Sequence, residues 1–477
     1  MFQQYIDGKL VDGQGKPFSV INPATDGVVE TLNAASPAQV QQALESAKRA
    51  FPAWAHTPLN ERVALLTRFR EAIIADKETV AMLIHQEVGL SWPESLGEVD
   101  TITTQMQFNA EEIRRVGGVT TPDYVDAHGE VIHIVTPFPV GVTVGHIAWN
   151  HPLYGAGVKL TALYTGCTCI LKPSSNTPLA TLYLGVLAAR VGLPAGVLNV
   201  LAGPSSEVGR LLNESDIPAL IGVIGSCETG RQVMQQGATT VKRYSLELGG
   251  NAPAIVMPDA SLDLAIPFIV KRKTWSCGQG CSNINRIYVH EDIHDEFVRR
   301  LTEKVAEVKV GYGKELGDVM GPQMEKKYRD VLLDKIDEAV KKGAKIVYGG
   351  TVPAGLEAHG AFIMPTILDD CDGTMRVCNE ELFGPVFCIY RFRDLDWVIE
   401  EANRTDYGLA AYVYTHDSRV FGRCAEEIQT GMVYINTPTC GGANLPHIGV
   451  KQSGIGCDAG KWQFDNYYTL KRISIRR

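Results

Sequence analysis

Val140-Gly-Val-Thr-Val144, Cys167-Thr-Cys-Ile-Leu171, Val197-Leu-Asn-Val-Leu201 and Ala219-Leu-Ile-Gly-Val223 are short β-rich runs, and the stretch containing them decides the fold. Amphipathic segments such as 179–191 and 206–212 lie between them. Strands alternating with helices predict βαβ units and a parallel sheet, so the fold class is α/β. Downstream of Glu247 the alternation resumes, with strands expected at 252–256, 286–289 and 345–348 and helices at 293–308 and 326–342. Segments 119–135 and 467–475 read as extended strands outside both units. A strand at the end of a chain is expected to pair with something, here a neighbouring subunit. Upstream, Ser36, Pro37 and Gln39 supply an N-cap, a first-turn proline and a capping-box partner. Ala43, Leu44, Ala47, Ala50 and Phe51 then recur at helical spacing and predict one buried face. With no internal repeat and no low-complexity linker, the two α/β regions are expected to share an interface that holds a ligand cleft.

The chain has 477 residues, enough for two or three domains, and its 45% hydrophobic and 21% charged residues are ordinary for a globular protein. Fifty-four acidic against 45 basic residues leave a net charge of −9, which argues against a nucleic-acid or anionic-membrane surface. A local basic pocket for one phosphate stays compatible with that balance. The first ten residues are polar and mixed, without a secretory pattern, and no apolar run reaches membrane-spanning length. Eleven scattered cysteines do not form a disulfide framework and suit a reducing cytoplasm. Cys277 and Cys281, four apart, would suit a metal on a helix, but no second Cys/His pair completes a zinc set; no metal is expected.

Cys281 stands in Trp275-Ser-Cys-Gly-Gln-Gly-Cys281, where two glycines close to a thiol leave room for a ligand or backbone. A thiolate there is a nucleophile toward carbonyl carbon, although a buried structural thiol fits the same residues. Glu247, between Leu246 and Leu248, is a carboxylate costly to bury without a partner. Burial is expected to raise its pKa, as a general base near neutral pH requires; the alternative is a solvent-facing Glu on an edge strand. Asn150, just after a strand, would donate its amide to a developing oxyanion or simply shape a turn before Pro152. Lys172 and Ser175 follow another strand, where doubly wound sheets bind nucleotides. Gly225-Ser-Cys-Glu-Thr-Gly230 has P-loop glycine spacing, but Arg231 and Gln232 follow instead of Lys and Ser/Thr, which argues against that ATP-binding mechanism. Gly225 and Ser226 would still offer backbone amides to a pyrophosphate at a helix start. No GxGxxG fingerprint follows the first strand.

Taken in order, these motifs resemble the NAD(P)-dependent aldehyde dehydrogenase superfamily, its lactaldehyde and semialdehyde dehydrogenase members included. The resemblance runs from Asn22-Pro-Ala-Thr25 to the tail. It rests on Trp149-Asn150, Leu171-Lys-Pro173, Leu246-Glu-Leu-Gly-Gly-Asn251, Gly278-Gln-Gly-Cys281, Glu380-Glu-Leu-Phe-Gly-Pro385 and Lys451-Gln-Ser-Gly-Ile-Gly456. It implies a Rossmann-like cofactor domain (1–118 and 139–246), an α/β catalytic domain (247–440) and a small β oligomerisation arm (119–138 and 457–477). It further implies a cytoplasmic homodimer or homotetramer that oxidises a small-molecule aldehyde with NADP, NAD or both. Cys281 would attack the aldehyde, Asn150 and the Cys281 amide would hold the oxyanion, and Glu247 would activate water to release the acid. Trp149, Lys172, Ser175, Gly225, Ser226, Glu381 and Phe383 would line the cofactor.

Departures from the family pattern bear on specificity. Ser175 stands where NAD-preferring relatives often carry Glu, which removes repulsion against a 2′-phosphate. His151 and His447 occupy positions that are frequently aromatic. With Trp275 they are expected to line the substrate pocket, which Gly441 and Gly442 make roomier and more polar than one for long alkyl aldehydes, although a satisfied structural histidine fits either position equally. A CoA-acylating relative would commonly lack Glu247, and a catalytically silent homologue would not need all three catalytic residues.

Overall fold

A computed structural model describes residues 2–123, 125, 129–437, 439 and 441–476. Its first sheet has a parallel core ordered Arg243–Glu247, Pro218–Ile224, Val142–Ile147, Thr168–Pro173, Leu198–Val200. Gln4–Ile6 and Lys9–Val11 extend one edge, and Gly454–Ile455 adds antiparallel to the other. Every side chain of Val142–Ile147 and Thr168–Pro173 is buried, as a parallel sheet covered on both faces requires. From Val142–Ile147 the chain winds one way through the next two strands and the opposite way through Pro218–Ile224. That reversal is a topological switch point, where ligands bind beyond the strand ends. Trp149-Asn150 follows one of the two strands at the switch, and Gly225-Ser226 follows the other.

The second sheet has seven strands, ordered Lys345–Tyr348, Thr366–Asp369, Val386–Phe392, Ile284–His290, Ala252–Val256, Ala410–Tyr414, Met432–Ile435. All its pairs are parallel except the first. Only residues 248–251 separate Arg243–Glu247 of the first sheet from Ala252–Val256 of the second. The Leu-Gly-Gly-Asn that follows Glu247 is thus the joint between the sheets. Ser453 fastens it, accepting from the Gly408 amide at 2.8 Å and donating to the Gly249 carbonyl at 2.7 Å.

Differences from the sequence reading have local causes. The strand expected at 140–144 runs over Val142–Ile147, because Gly141 has a φ of 129° and the strand continues through Gly145 and a buried His146. Segment 206–212 is not one amphipathic helix: a wide turn, Ser205–Gly209, precedes Arg210–Glu214. Segment 119–135 is two antiparallel strands, Val119–Thr121 and Val131–Pro139, broken after Thr121 by Pro122. The tail strand, Tyr468–Arg476, pairs along its whole length with Val131–Pro139 of its own chain and forms the edge of a three-stranded sheet. The helix after Ser36 forms as expected, with the reciprocal capping box in place over Pro37–His56. No described helix is long and apolar enough to cross a membrane.

Candidate active site

Helix Leu262–Thr274 ends at Trp275, and the next three residues turn left-handed: Ser276 (φ 51°), Cys277 (φ 53°) and Gly278 (φ 74°). Two non-glycine residues in that region are strained, and they persist because surrounding bonds over-determine them. The Ser276 amide donates to Glu94 (2.8 Å), Gln323 to the Cys277 carbonyl (2.9 Å) and Asn283 to the Gly278 carbonyl (2.6 Å). A Cβ on Gly278 would stand 2.4 Å from the Gly384 carbonyl carbon, so the loop requires glycine for space as well as for φ. Cys277 is buried against Gln323, and burial pushes its thiol up to about 12. Cys277 and Cys281 therefore share no helix face. Only Cys281 reaches the large cavity, about 1330 Å³, that joins the two sheets.

Glu247, the last residue of its strand, is buried rather than solvent-facing. Its Oε1 lies 3.1 Å from His447 Nε2, and the same Nε2 lies 3.8 Å from Cys281 Sγ. One donor atom from each residue falls within 4.8 Å of the others. Burial by itself would raise the Glu247 carboxyl, but the charge and hydrogen bond of His447 outweigh it and hold the pKa below the ordinary value. This corrects the sequence expectation of a raised pKa, which took account of burial alone. His447 responds oppositely: burial would lower it, yet Glu247 lifts it above the usual imidazole value. Cys281 is pushed well up, first by burial and then by the Glu247 charge, which favours the thiol form. Glu247 Oε2 is buried without a hydrogen-bond partner among the described residues. Asn150 Nδ2 donates to the Gln279 carbonyl at 2.9 Å, two residues before Cys281, and its second N–H is left for a ligand.

The strand ends of the first sheet form another part of the same cavity. Lys172 is almost fully buried, donates to Ser205 Oγ at 2.8 Å, and is lowered by burial to about 8. Ser174, Ser205 and Ser206 line the cavity beside it. Ser175 does not line it: its hydroxyl donates to the Gly203 carbonyl at 3.0 Å. Gly225 and Ser226 lie at the start of helix Cys227–Gly237. Ser226 Oγ caps that helix through the Thr229 amide, and the Gly225 amide continues the ladder to the Glu247 carbonyl at 3.1 Å. The Gly225 amide is thus committed to the sheet rather than offered to a phosphate. Glu381 accepts from the Gly250 amide at 3.0 Å, and burial raises it to about 7. Phe383 packs edge-on to Trp149 with centroids 5.4 Å apart. A buried cation, three hydroxyls, a helix start and an aromatic pair along one cavity form a donor set suited to a dinucleotide.

His151 stacks on Trp275 at 4.2 Å, and its Nδ1 pairs with Glu98 at 2.9 Å. Gly441 and Gly442 also line the cavity, while residues 438 and 440 lie outside the described ones. Arg272, Glu98 and Tyr154 are among the lining residues that escaped the sequence reading. Arg272 sits in a Lys271-Arg-Lys273 run that reads as a charged helix end, yet its guanidinium lies 5.5 Å from the Trp275 ring centre and donates to Ser282. Glu98 is on a distant helix, Trp92–Glu112. Tyr154, two residues past Pro152, holds a buried hydroxyl without a hydrogen-bond partner among the described residues.

Comparison with known proteins gives this geometry a family. A model of the aldehyde dehydrogenase family matches residues 10–473. Glutarate-semialdehyde dehydrogenase of Pseudomonas putida is 39% identical over 476 residues, covering 99% of this chain and 97% of the relative. A crystal structure of an E. coli NADP dependent enzyme superposes with a TM-score of 0.96 at 35% identity, covering 100% of this chain and 98% of that one. Betaine aldehyde dehydrogenase of Staphylococcus aureus, solved in complex with NAD+, gives 0.96 at 32% identity, covering 100% and 95%. The chain belongs to the aldehyde dehydrogenase family and is an NAD(P)-dependent oxidoreductase acting on an aldehyde group.

Proposed function

We infer that the chain oxidises a small, polar aldehyde to its carboxylic acid through a thioester on Cys281. The observation that carries this reading is the convergence of Cys281, Glu247 and Asn150 on one cavity that also holds Lys172. As the aldehyde carbon bonds to Sγ, the thiol proton passes to the Glu247 carboxylate. The Asn150 amide and the Cys281 backbone N–H hold the oxyanion that develops. Lys172, Trp149, Glu381 and Phe383 would hold an NAD(P) cofactor, which would supply the acceptor for the hydride that leaves the aldehyde carbon as the thioester forms on Cys281. Glu247, its proton returned to solvent, then takes a proton from water at its unpartnered Oε2. The hydroxide adds to the thioester carbon and the carbon–sulfur bond breaks, releasing acid.

The charge of Arg272 and the polarity of the His151–Glu98 pair favour an aldehyde with a hydroxyl or carboxylate on its tail over an alkyl one. The P. putida relative, a glutarate-semialdehyde dehydrogenase, fits that chemistry. Lys172 with its ring of hydroxyls supports use of NADP at least equal to NAD. The free thiols of all ten described cysteines suit the cytoplasm, and the unpaired outer edge of Tyr468–Arg476 suits a homo-oligomer. A panel of glutarate and succinate semialdehydes, lactaldehyde and hexanal, assayed with each cofactor, tests the reading. Turnover of the polar aldehydes without added CoA is expected. Acyl-CoA as the product, or preference for hexanal, contradicts it.

A further inference from the structure

The mechanism above leaves His447 without a task, although it touches both reacting groups. Its Nε2 stands between Glu247 Oε1 (3.1 Å) and Cys281 Sγ (3.8 Å). Its backbone cannot drift, because it exchanges two hydrogen bonds with Asp458, at 2.6 and 2.9 Å. We propose that His447 is a further catalytic residue of this chain: an imidazolium whose single Nε2–H serves Glu247 and Cys281 in turn, and against which the Cys281 thiolate forms.

The argument is one of charge. Glu247 and Cys281 can each carry one negative charge, and a buried site tolerates such a charge only beside a cation. In the resting state the carboxylate is ionised, the sulfur is a thiol and the imidazolium pairs with the carboxylate. When the S–H bond breaks and its proton moves to Glu247, the negative charge moves to sulfur, and the same imidazolium pairs with it. The cluster stays neutral at both ends of the transfer. With a neutral side chain at 447 the same step would leave a buried anion uncompensated throughout.

The other groups facing His447 leave this role to it. Asp458 is tied to Lys159 through Nζ at 2.8 Å, so its carboxylate is already balanced. Tyr154 presents its ring edge-on at 6.1 Å, and its hydroxyl, raised well above 10 by burial, stays neutral. Arg272 adds positive charge that opposes protonation of His447, but Glu247 prevails and the imidazole stays above its ordinary pKa.

The inference rests on Cys281 being the nucleophile, so the test keeps the two separable. Iodoacetamide forms an S–C bond on the thiolate with loss of iodide, and the rate in the full-length enzyme, followed across pH, reports the thiolate fraction. Peptide mass mapping confirms that Cys281 is the residue modified. If Cys281 carries the label and turnover persists, the nucleophile assignment itself fails. His447→Gln keeps the size and a donor but loses the charge. Its alkylation profile is expected to move up by about 1–3 pH units, with a slowing of about ten-fold or more near neutral pH. A profile matching the parent would overturn the proposal, because a merely structural histidine is replaceable by Gln. A measurement on the unaltered chain guards against a variant that fails to fold. Histidine NMR should show His447 titrating above the ordinary imidazole value of about 6.5, and shifting once Cys281 is alkylated. An imidazole that is neutral throughout the range above about pH 6 would equally overturn it.

Discussion

Lys172 and Glu247 are both buried charged groups lining one cavity, yet their surroundings move them in opposite senses relative to their charged forms. Lys172 donates to a neutral hydroxyl oxygen, that of Ser205, and burial lowers it to about 8, toward the neutral amine. Glu247 has an imidazole at 3.1 Å, and the partner overrides burial and keeps it a carboxylate. The lesson is that depth does not set the charge state; the nearest opposite charge does. The cofactor region is built with its counter-charge missing, to be supplied by a ligand. The catalytic region is built already compensated, so that charge can move within it.

The comparison breaks most severely where the covalent step is removed. Cys281→Ala is expected to lower turnover by about a thousand-fold or more while cofactor binding persists, checked by steady-state kinetics beside a cofactor titration. Normal turnover would remove the catalytic region from the account. Glu247→Gln is expected to slow the first step, where the carboxylate accepts the thiol proton, and to slow deacylation more, by about 10²–10⁴-fold, so that a slower burst of reduced cofactor still precedes turnover. Equal loss of burst and steady state would confine Glu247 to accepting the thiol proton and remove it from deacylation. Asn150→Ala, which removes one oxyanion donor, should cost about 10²–10³-fold in kcat.

The cofactor region carries smaller effects. Lys172→Met should weaken NADP binding by about ten-fold to a hundred-fold and NAD binding less, since a charged hydrogen bond to the 2′-phosphate is lost. The pH dependence has a definite sign. Lys172 is cationic below its free-enzyme value of about 8, and a phosphate favours that form, so the Kd for NADP should rise as pH climbs past about 8 while that for NAD changes less. Parallel profiles for the two cofactors would remove Lys172 from the phosphate. Ser175→Glu is expected to have the mildest effect, a selective loss with NADP. The Ser175 hydroxyl faces Gly203, so the longer carboxylate has to reach the cavity from behind Ser174.

Much of this was legible in the chain because the proposed catalytic residues sit at strand ends or in glycine-framed loops. Cys281, Glu247 and Asn150 each stand in a short motif that survives reading in one dimension. The β–α alternation marked the parallel core of the first sheet, with the offset at Val142–Ile147 arising because Gly145 and His146 interrupt an apolar run. In the second sheet it left Thr366–Asp369, Val386–Phe392, Ala410–Tyr414 and Met432–Ile435 unread. Asn213 satisfies that histidine at 2.7 Å, which no local pattern reveals. The missing parts were pairings across long separations. His447 meets Glu247 across 200 residues, so the direction of the Glu247 pKa could not be read from the leucines beside it. Arg272 was hidden by its basic neighbours, and Ser205 and Ser206 by a pattern that looked like ordinary helix.

The central claim, an acyl group carried on Cys281, is tested most directly by trapping it. Glu247→Gln mixed with a turned-over aldehyde and cofactor, quenched in acid within the burst and examined by intact mass and peptide mapping, should carry one adduct on the peptide containing Cys281. Its mass should be that of the aldehyde less two hydrogens, and hydroxylamine should remove it. A burst of reduced cofactor with no adduct, or an adduct on Cys277 instead, would contradict the account.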